Sequence, residues 1–245
     1  MVDLSSFGEN LNVAVFGANG GIGSGLVRAL TGCQQVEKIF ELGRAKPKEL
    51  GDKSVFLQTN MLDEASVMKA ASVITDPLDI EIVATGILHD SEMQPEKTWR
   101  QFSVDDAEKL FRVNAFGPML IAKHFLSKLN DDHKSVFAAL SAKVGSISDN
   151  ELGGWYSYRA SKAALNQFIK CSAIELKRKN KNAICVGLHP GTVATKLSKP
   201  FQANVKPEKL FDNTKASIQL LSVLNALNSA HSGNLMSWDA SIIAP

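Results

Sequence analysis

Short β-branched runs alternate with longer stretches of helical periodicity, and this alternation constrains the fold more than any other feature of the sequence. Strands separated by helices predict a parallel sheet covered on both faces. No repeat, low-complexity segment or linker interrupts the pattern, so we expect one domain over residues 1–245, a doubly wound α/β fold of about seven strands. The predicted strands are 11–16, 36–41, 55–59, 78–84, 135–140, 182–188 and 233–236, and the predicted helices are 21–30, 64–73, 105–129, 155–179 and 207–227.

The composition indicates a soluble protein of the cytoplasm. The net charge is only +2, from 27 basic and 25 acidic residues, so bulk charge predicts binding to neither nucleic acid nor membrane. Cys33, Cys171 and Cys185 are widely spaced and form no disulfide or metal-binding pattern, which suits a reducing compartment. The first twelve residues contain acids but no base, unlike a signal peptide, and no apolar run reaches the ~20 residues of a membrane span.

A glycine-rich loop, Gly17-Ala-Asn-Gly-Gly21-Ile-Gly23, directly follows the first predicted strand and opens the first helix. Glycines permit a tight turn and let the backbone approach a pyrophosphate, which the free N–H groups of the helix can bind. The alternative is an ordinary glycine-rich turn, but this position in the pattern favours a dinucleotide site in a Rossmann fold. We expect the contacts from Gly17, Asn19, Gly21, Ile22 and Gly23.

Tyr158 and Lys162 lie one helical turn apart and therefore on the same face of a predicted helix. A free phenol has a pKa of about 10, and a neighbouring cation favours the phenolate and lowers that pKa. The pair suits a proton donor at neutral pH. The spacing alone also fits a solvated pair on an ordinary amphipathic helix.

The Gly-x3-Gly-x-Gly loop, together with Tyr158-x3-Lys162, resembles the short-chain dehydrogenase/reductase family over nearly the whole chain. The segment 153–155 before the second long helix is similar to the C-factor-like branch, which includes carbonyl reductases and a signalling factor. Each further motif follows a strand or lies on a facing helix, where open α/β sheets bind ligands. These motifs are Ala84-Thr85-Gly86, Val113-Asn114, Ser141 and the segment from Pro190-Gly191 through Val193 to Thr195.

The resemblance implies a role for each of four side chains. Tyr158 would protonate a carbonyl oxygen as hydride arrives, or remove the alcohol proton in reverse. Lys162 would lower the pKa of Tyr158 and bind the nicotinamide ribose. Ser141 would hold the substrate oxygen, and Asn114 would help to fix a water in a proton relay from Lys162.

Pro118 supports the role of Asn114 because it lies four residues later in the predicted helix. A helical N–H at position 118 would bond to the carbonyl of residue 114, but proline has no N–H and its ring crowds that carbonyl. We therefore expect a kink beside Gly117 and a free carbonyl that can bind an ordered water. The alternative is a packing kink with Asn114 pointing to solvent.

Two pairs of residues near the predicted site leave alternatives open. Ser146 and Ser148 could replace Ser141, although only Ser141 directly follows the fifth strand. Trp155 and Tyr156 could wall the substrate pocket or pack against the 141–152 loop.

The cofactor prediction depends on the end of the second strand, which reads Glu41-Leu-Gly43-Arg44. By resemblance, Gly43 fills the acidic position that binds ribose hydroxyls, and Arg44 could pair with a 2′-phosphate, which favours NADP(H) over NAD(H). The other basic position of NADP-binding members is Gly20 here. Arg44 could instead be a solvated loop residue, or Glu41 could reach the ribose and restore NAD. Asn60 replaces an aspartate that helps to hold the adenine, and its carbonyl oxygen can still accept a hydrogen bond.

The resemblance also implies cofactor contacts from the ends of the fourth and sixth strands. Backbone groups near Val193 and the Thr195 hydroxyl would meet the nicotinamide carboxamide, although helix capping is an alternative role for the threonines. The full set of expected contacts here is Ala84, Thr85, Gly86, Pro190, Gly191, Val193 and Thr195, besides Tyr158 and Lys162.

These features together predict an NAD(P)(H)-dependent oxidoreductase, specifically an NADPH-dependent carbonyl reductase acting on a small carbonyl or alcohol. The alternative is a nucleotide-binding signalling or sensing protein of the same fold with little turnover. The short segment 196–204 after Thr195 predicts a small lid and either broad specificity or a bulky substrate. His89 and His189 lack metal-like spacing, so no metal site is expected. The resemblance implies a homodimer or homotetramer.

Overall fold

A mostly parallel sheet of eight strands forms the centre of the computed structural model, which describes residues 2–203 and 205–245. The strands of the chain are β1 (Leu11–Phe16), β2 (Val36–Gly43), β3 (Ser54–Gln58), β4 (Ile80–Val83), β5 (Ser135–Leu140), β6 (Ala183–His189), β7 (Thr192–Val193), β8 (Leu210–Phe211), β9 (Leu235–Ser237) and β10 (Ile242–Ile243). The order in the large sheet is β10-β9-β6-β5-β4-β1-β2-β3, and β7 pairs with β8 separately. The pairing of β10 with β9 is antiparallel and the others are parallel. This arrangement confirms the predicted Rossmann-type fold.

Helices cover both faces of the sheet. They are α1 (Gly21–Thr31), α2 (Glu64–Val73), α3 (Val104–Phe111), α4 (Gly117–Phe125), α5 (Tyr156–Lys179) and α6 (Asn213–Ala226). Helices α1 and α6 contribute to one apolar core, and α2, α4 and α5 contribute to the other. The two cores divide alternate residues of the strands: Val13 and Val15 lie in the first, and Ala14 and Phe16 lie in the second, as the two-residue period of a strand requires.

Some elements have the predicted bounds and others do not. The bounds of β1, β5 and α2 agree with the sequence. The helix predicted over 207–227 begins only at Asn213, because the Asp212 side chain caps it by accepting the backbone N–H of Lys215 at 2.7 Å. Residues Leu210–Phe211, predicted as helix, form β8. Two-residue strands have no periodicity to detect, so β7 and β10 were not predicted.

The helix predicted over 105–129 is divided by a π-helical turn at Arg112–Phe116, between α3 and α4. This turn takes the place of the kink predicted beside Gly117. Ser103 begins the helix by accepting the N–H of Asp106 at 3.3 Å. In the described part of the chain, no helix is long and apolar enough to cross a membrane.

Candidate active site

The glycine loop after β1 leaves no space for side chains. Gly17 has φ +77°, and a Cβ there would lie 2.8 Å from Cγ2 of Thr85. A Cβ on Gly23 would lie 2.1 Å from the Gly17 carbonyl oxygen, and one on Gly21 would lie 2.5 Å from Cγ2 of Thr195. The loop therefore packs against the ends of β4 and β7, and only glycine permits these approaches.

The N-terminus of α1 lacks a side-chain cap. Gly20 precedes the helix in an extended conformation and offers no side-chain acceptor to the first-turn N–H groups. Such groups can bind an anion with the help of the helix dipole. Asn19 donates its side-chain N–H to the carbonyl of Ala45, which ties the loop to the segment after β2. Ile22 packs against the core beneath. This arrangement fits a dinucleotide pyrophosphate.

Three cations follow β2, of which the sequence prediction named only the first. Arg44, Lys46 and Lys48 are all exposed. A Cβ on Gly43 would meet nothing within 4 Å, so the space beside the strand end is open. Glu41 is 3% exposed within the strand, and its Oε1 has no hydrogen-bond partner among the described residues. Reaching a ribose would require Glu41 to leave its buried position.

Asn60 lies in the turn after β3, whose carboxyl end is adjacent to that of β2. Its Oδ1 accepts the N–H of Leu62 at 3.2 Å, and its own N–H donates to Oγ of Ser66 at 2.9 Å. The carbonyl oxygen that the sequence assigns to the adenine thus already accepts one local bond, as in an Asx turn. A carbonyl oxygen has a second lone pair for a further donor.

Tyr158 and Lys162 are both buried on α5, with 7% and 3% of their surfaces exposed. Lys162 donates from Nζ to the carbonyl of Leu140 at the end of β5, at 2.8 Å, and Nζ lies 5.9 Å from the Tyr158 ring centroid. Burial lowers the pKa of Lys162 to about 8. Burial also raises the pKa of Tyr158 well above its usual value, because an apolar surrounding disfavours the phenolate. The pKa of Tyr158 is thus shifted upward in this structure, whereas the sequence predicts that Lys162 lowers it.

Asn114 is fully buried and joins the segment after β4 to α5. Its Oδ1 accepts the Ile87 N–H, and its Nδ2 donates to the Ile87 carbonyl, both at 2.9 Å. Nδ2 also lies 3.1 Å from Oγ of Ser161, which in turn donates to the Tyr158 carbonyl at 2.8 Å. The alternative that Asn114 points to solvent is excluded. Its side chain belongs to the network that supports the first turn of α5.

The π-helical turn places this asparagine. Gly117 donates its N–H to the carbonyl of Arg112, five residues earlier, and Pro118 has no N–H for the Asn114 carbonyl. A Cβ on Gly117 would lie 2.7 Å from Cε of Met61, so the widened turn is closely packed. Single π-turns in α-helices are common at functional sites.

The Ser141 hydroxyl is bonded to a side chain of α5, in place of the free donor that the sequence predicts. Its hydroxyl donates to Oδ1 of Asn166 on α5 at 2.6 Å, so its one proton is already used. The next residue, Ala142, packs against the apolar cluster that contains Tyr158. Asn166 was missed by sequence reasoning, although its position four residues after Lys162 places it on the same helix face.

The alternatives Ser146 and Ser148 are engaged elsewhere. The hydroxyl of Ser146 accepts the N–H of Asp149 at 3.1 Å, and the hydroxyl of Ser148 donates to the carbonyl of Pro245.

Aromatic rings pack around Tyr158. The Trp155 ring meets the rings of Tyr158 and Phe201 edge-on, with centroids 6.1 and 4.9 Å apart, and His89 meets Phe201 at 5.7 Å. Tyr156 is 39% exposed and is not part of this cluster. Phe201 belongs to the predicted lid 196–204, of which Asn204 lies outside the described residues. The aliphatic members of this cluster are Ile87, Leu88, Met93, Leu110, Ala142, Val144 and Leu197.

Two further glycines bring the predicted halves of the site together. A Cβ on Gly86 would lie 3.3 Å from Oδ1 of Asn114 and 3.4 Å from Nζ of Lys162. Gly191, with φ +73°, turns the chain after Pro190 and lies against the Phe211 ring. Ala84, Val193 and Thr195 then follow at neighbouring strand ends, with the Thr195 N–H donating to Oγ of Ser198 at 3.2 Å. Within the described residues, no group of three His, Cys, Asp or Glu side chains could hold a metal ion.

Comparisons with known proteins agree with this geometry. The family model described as short chain dehydrogenase matches residues 11–206. C-signal from Myxococcus xanthus is 29% identical over 172 residues, which cover 69% of this chain and 93% of that protein. The 1-hydroxy-2-glutathionyl-2-methyl-3-butene dehydrogenase of Rhodococcus sp. (strain AD45) is 30% identical over 138 residues, 55% of this chain and 59% of that enzyme. The crystal structure of NADPH-bound carbonyl reductase from chicken fatty liver superposes with a TM-score of 0.83 at 25% identity, covering 100% of this chain and 96% of the other.

Proposed function

The chain belongs to the short-chain dehydrogenase/reductase family of nicotinamide-dependent oxidoreductases, and from this premise we propose that it is an NADP(H)-dependent carbonyl reductase. The observation that carries the proposal is the convergence of Asn114, Tyr158 and Lys162 beside a glycine loop that fits a dinucleotide. A protein that only binds nucleotide has no need for a buried acid and ammonium at this position.

Tyr158 is the proposed acid/base. A bound nicotinamide dinucleotide supplies or accepts the hydride. In the reducing direction Tyr158 donates its proton to the carbonyl oxygen as the carbon is reduced, and in the oxidising direction the phenolate removes the alcohol proton. The raised pKa of Tyr158 keeps the phenol protonated, which is the form that reduction requires.

Lys162 and Asn114 are proposed to return a proton to Tyr158. With a pKa of about 8, the Lys162 ammonium can release and regain a proton near neutrality. Gly86 brings Lys162 and Asn114 close together, and the Asn114 carbonyl has no donor at Pro118, so this carbonyl can hold the relay water. Ser141 is not proposed as a substrate ligand, because its hydroxyl proton is donated to Asn166.

The exposed cations after β2 favour NADP(H). Arg44 can pair with a 2′-phosphate through charge-assisted hydrogen bonds, and Lys46 and Lys48 add positive charge to the same segment. The buried position of Glu41 weighs against a ribose contact from that residue. The structural relative from chicken liver was solved with NADPH bound.

The walls of the site favour an apolar carbonyl compound. Trp155 and Phe201 present rings, and the remaining wall is aliphatic. Two nearby charges are already paired, since Lys109 contacts Asp90 and Lys143 lies 3.2 Å from Asp149. Aryl and alkyl aldehydes or ketones therefore suit the space better than substrates with several charges.

The test is turnover of a panel of aryl and alkyl carbonyl compounds with NADPH. Tyr158→Phe should lower kcat by about 10²- to 10⁴-fold, the usual contribution of general acid catalysis, and should keep the affinity for NADPH. Tyr156→Phe, two residues away and exposed, serves as the matched control and should turn over normally.

A second candidate function is a nucleotide-dependent signalling protein, because C-signal covers 69% of this chain at 29% identity. NADPH binding without turnover of any compound on the panel, in the wild type and in Tyr158→Phe alike, would favour this candidate over the enzyme.

A further inference from the structure

Glu96 is a buried carboxylate at the N-terminus of α5, far from Tyr158 in sequence. It is 5% exposed, and its Oε1 accepts the backbone N–H of Ser157 at 3.2 Å. The same carboxylate accepts the Ser157 hydroxyl. Helix α5 has no side-chain cap from its own N-cap residue, Trp155, and Glu96, 61 positions before Ser157, instead accepts one N–H of the first turn. A negative charge there also suits the helix dipole.

The backbone of Glu96 makes a second contact with the same segment. Its carbonyl accepts the N–H of Trp155 at 2.5 Å. Trp155 has φ +53°, a left-handed conformation that is unfavourable for a bulky side chain and persists only where the surroundings impose it. From this conformation the Trp155 ring reaches both Tyr158 and Phe201. Glu96 therefore contacts the residues on both sides of the start of α5.

We infer that Glu96 is a positioning residue for Tyr158 and for the Trp155 wall, an inference that rests on the proposed reductase function. Glu96 joins the segment after β4 to the helix that bears the acid/base. Met93, three residues earlier, is buried in the same cluster as Tyr158, so this segment also packs against the acid/base. We call the contacts of Glu96 with Trp155 and Ser157 the clamp. Displacement of a reacting group by about 1 Å can cost up to about 10²-fold in rate, so loss of the clamp should lower turnover.

Kinetics of three variants test the inference. Glu96→Leu removes both acceptor oxygens and should lower kcat by about tenfold or more, with the NADPH dissociation constant unchanged, because Glu96 lies outside the predicted cofactor contacts. Glu96→Gln keeps an oxygen for the Ser157 N–H and should retain most of the wild-type kcat. Glu92→Gln removes an exposed carboxylate from the same segment and should behave as wild type.

Ser157→Ala provides a milder variant should Glu96→Leu fail to fold. It removes only the hydroxyl donor and should give a smaller loss of kcat in the same direction. Wild-type kcat in Glu96→Leu would overturn the inference. Loss of NADPH affinity in step with kcat would also overturn it, since that result indicates general disruption.

Hydrogen–deuterium exchange separates this inference from the proposed function, because it needs no substrate. Glu96→Leu should raise amide exchange in the peptide spanning residues 155–162, and Glu92→Gln should not. Faster exchange in a protein that turns over no carbonyl compound would support the clamp and reject the reductase. Unchanged exchange would reject the clamp even in an active enzyme.

Discussion

Ser141 donates its hydroxyl proton to Oδ1 of Asn166 across 2.6 Å, and this bond joins the end of β5 to the middle of α5. A serine has a single proton to donate. We therefore predict that Ser141→Ala keeps most of the wild-type kcat, in contrast to Tyr158→Phe, and lowers stability by about 1 kcal/mol through the lost bond. Turnover assays and denaturant unfolding measure the two effects.

The neighbouring position supplies the matched variant. Ala142→Ser would add a hydroxyl on the side of the cluster that contains Tyr158, where a second donor can hold the substrate oxygen. We expect kcat to rise in Ala142→Ser. A severe loss of kcat in Ser141→Ala, with no gain of kcat in Ala142→Ser, would show that Ser141 is the residue that contacts the substrate.

Cofactor preference should depend on Arg44. Arg44→Ala should weaken NADP⁺ binding by about tenfold, the scale of a hydrogen bond to a charged group at an exposed site, and should leave NAD⁺ binding unchanged. The difference in NADP⁺ affinity between the wild type and Arg44→Ala should shrink as salt is added, because Arg44 is exposed and salt screens its charge. Calorimetry with both nucleotides measures this, with Arg28→Ala at the far end of α1 as control. An equal loss for both nucleotides would contradict the assignment.

Pro118→Ala should lower turnover without touching any predicted cofactor contact. Alanine restores the N–H that can bond to the Asn114 carbonyl and return the π-turn to regular helix. We expect kcat to fall by about tenfold through loss of the relay water, with NADPH affinity unchanged. Pro77→Ala, in an exposed loop before β4, controls for loss of a proline. Wild-type turnover in Pro118→Ala would refute the relay.

Stability should depend on pH through Glu81. This residue is fully buried in β4, neither carboxyl oxygen has a partner among the described residues, and burial raises its pKa well above the ordinary 4.5. The folded protein keeps a proton that the unfolded chain releases, so this contribution to stability is present below pH 4.5 and is lost as the pH rises through the folded pKa.

The glutamine side chain of Glu81→Gln does not ionise, so the fall in unfolding free energy with rising pH should be smaller in this variant. Its advantage in unfolding free energy over the wild type should widen as the pH rises from 4.5 towards neutrality. Urea unfolding across this range measures the difference, with the exposed Glu37→Gln as control. Parallel pH curves for Glu81→Gln and the wild type would show that Glu81 is not the responsible group.

The sequence predicts those features whose physical cause is local. The glycine loop follows directly from the spacing of Gly17, Gly21 and Gly23 after a β-branched strand, and the pair Tyr158/Lys162 follows from one helical turn. Pro118 indicated a disturbed helix, because its missing N–H leaves the Asn114 carbonyl without its helical donor. A π-turn and a kink both accommodate this loss, and the sequence does not distinguish them.

Features that depend on distant partners could not be predicted. The Ser141 hydroxyl bonds to Asn166, which lies 25 residues later on another element. The residues around Ser141 do not indicate this partner. The pKa of Tyr158 depends on how completely the apolar cluster buries it, which no spacing reports. Glu96 contacts the start of α5 across 61 residues, with no local motif to mark it.

The absence of space between Gly21 and Thr195 has a consequence for protein engineering. Since a single added methyl group at position 21 would collide with the Thr195 side chain, the loop after β1 and the segment after β7 are shaped to each other. A chimera that takes its nucleotide loop from a relative must take the facing segment from the same donor. Exchange of either piece alone would leave a mismatch at the junction of the two halves.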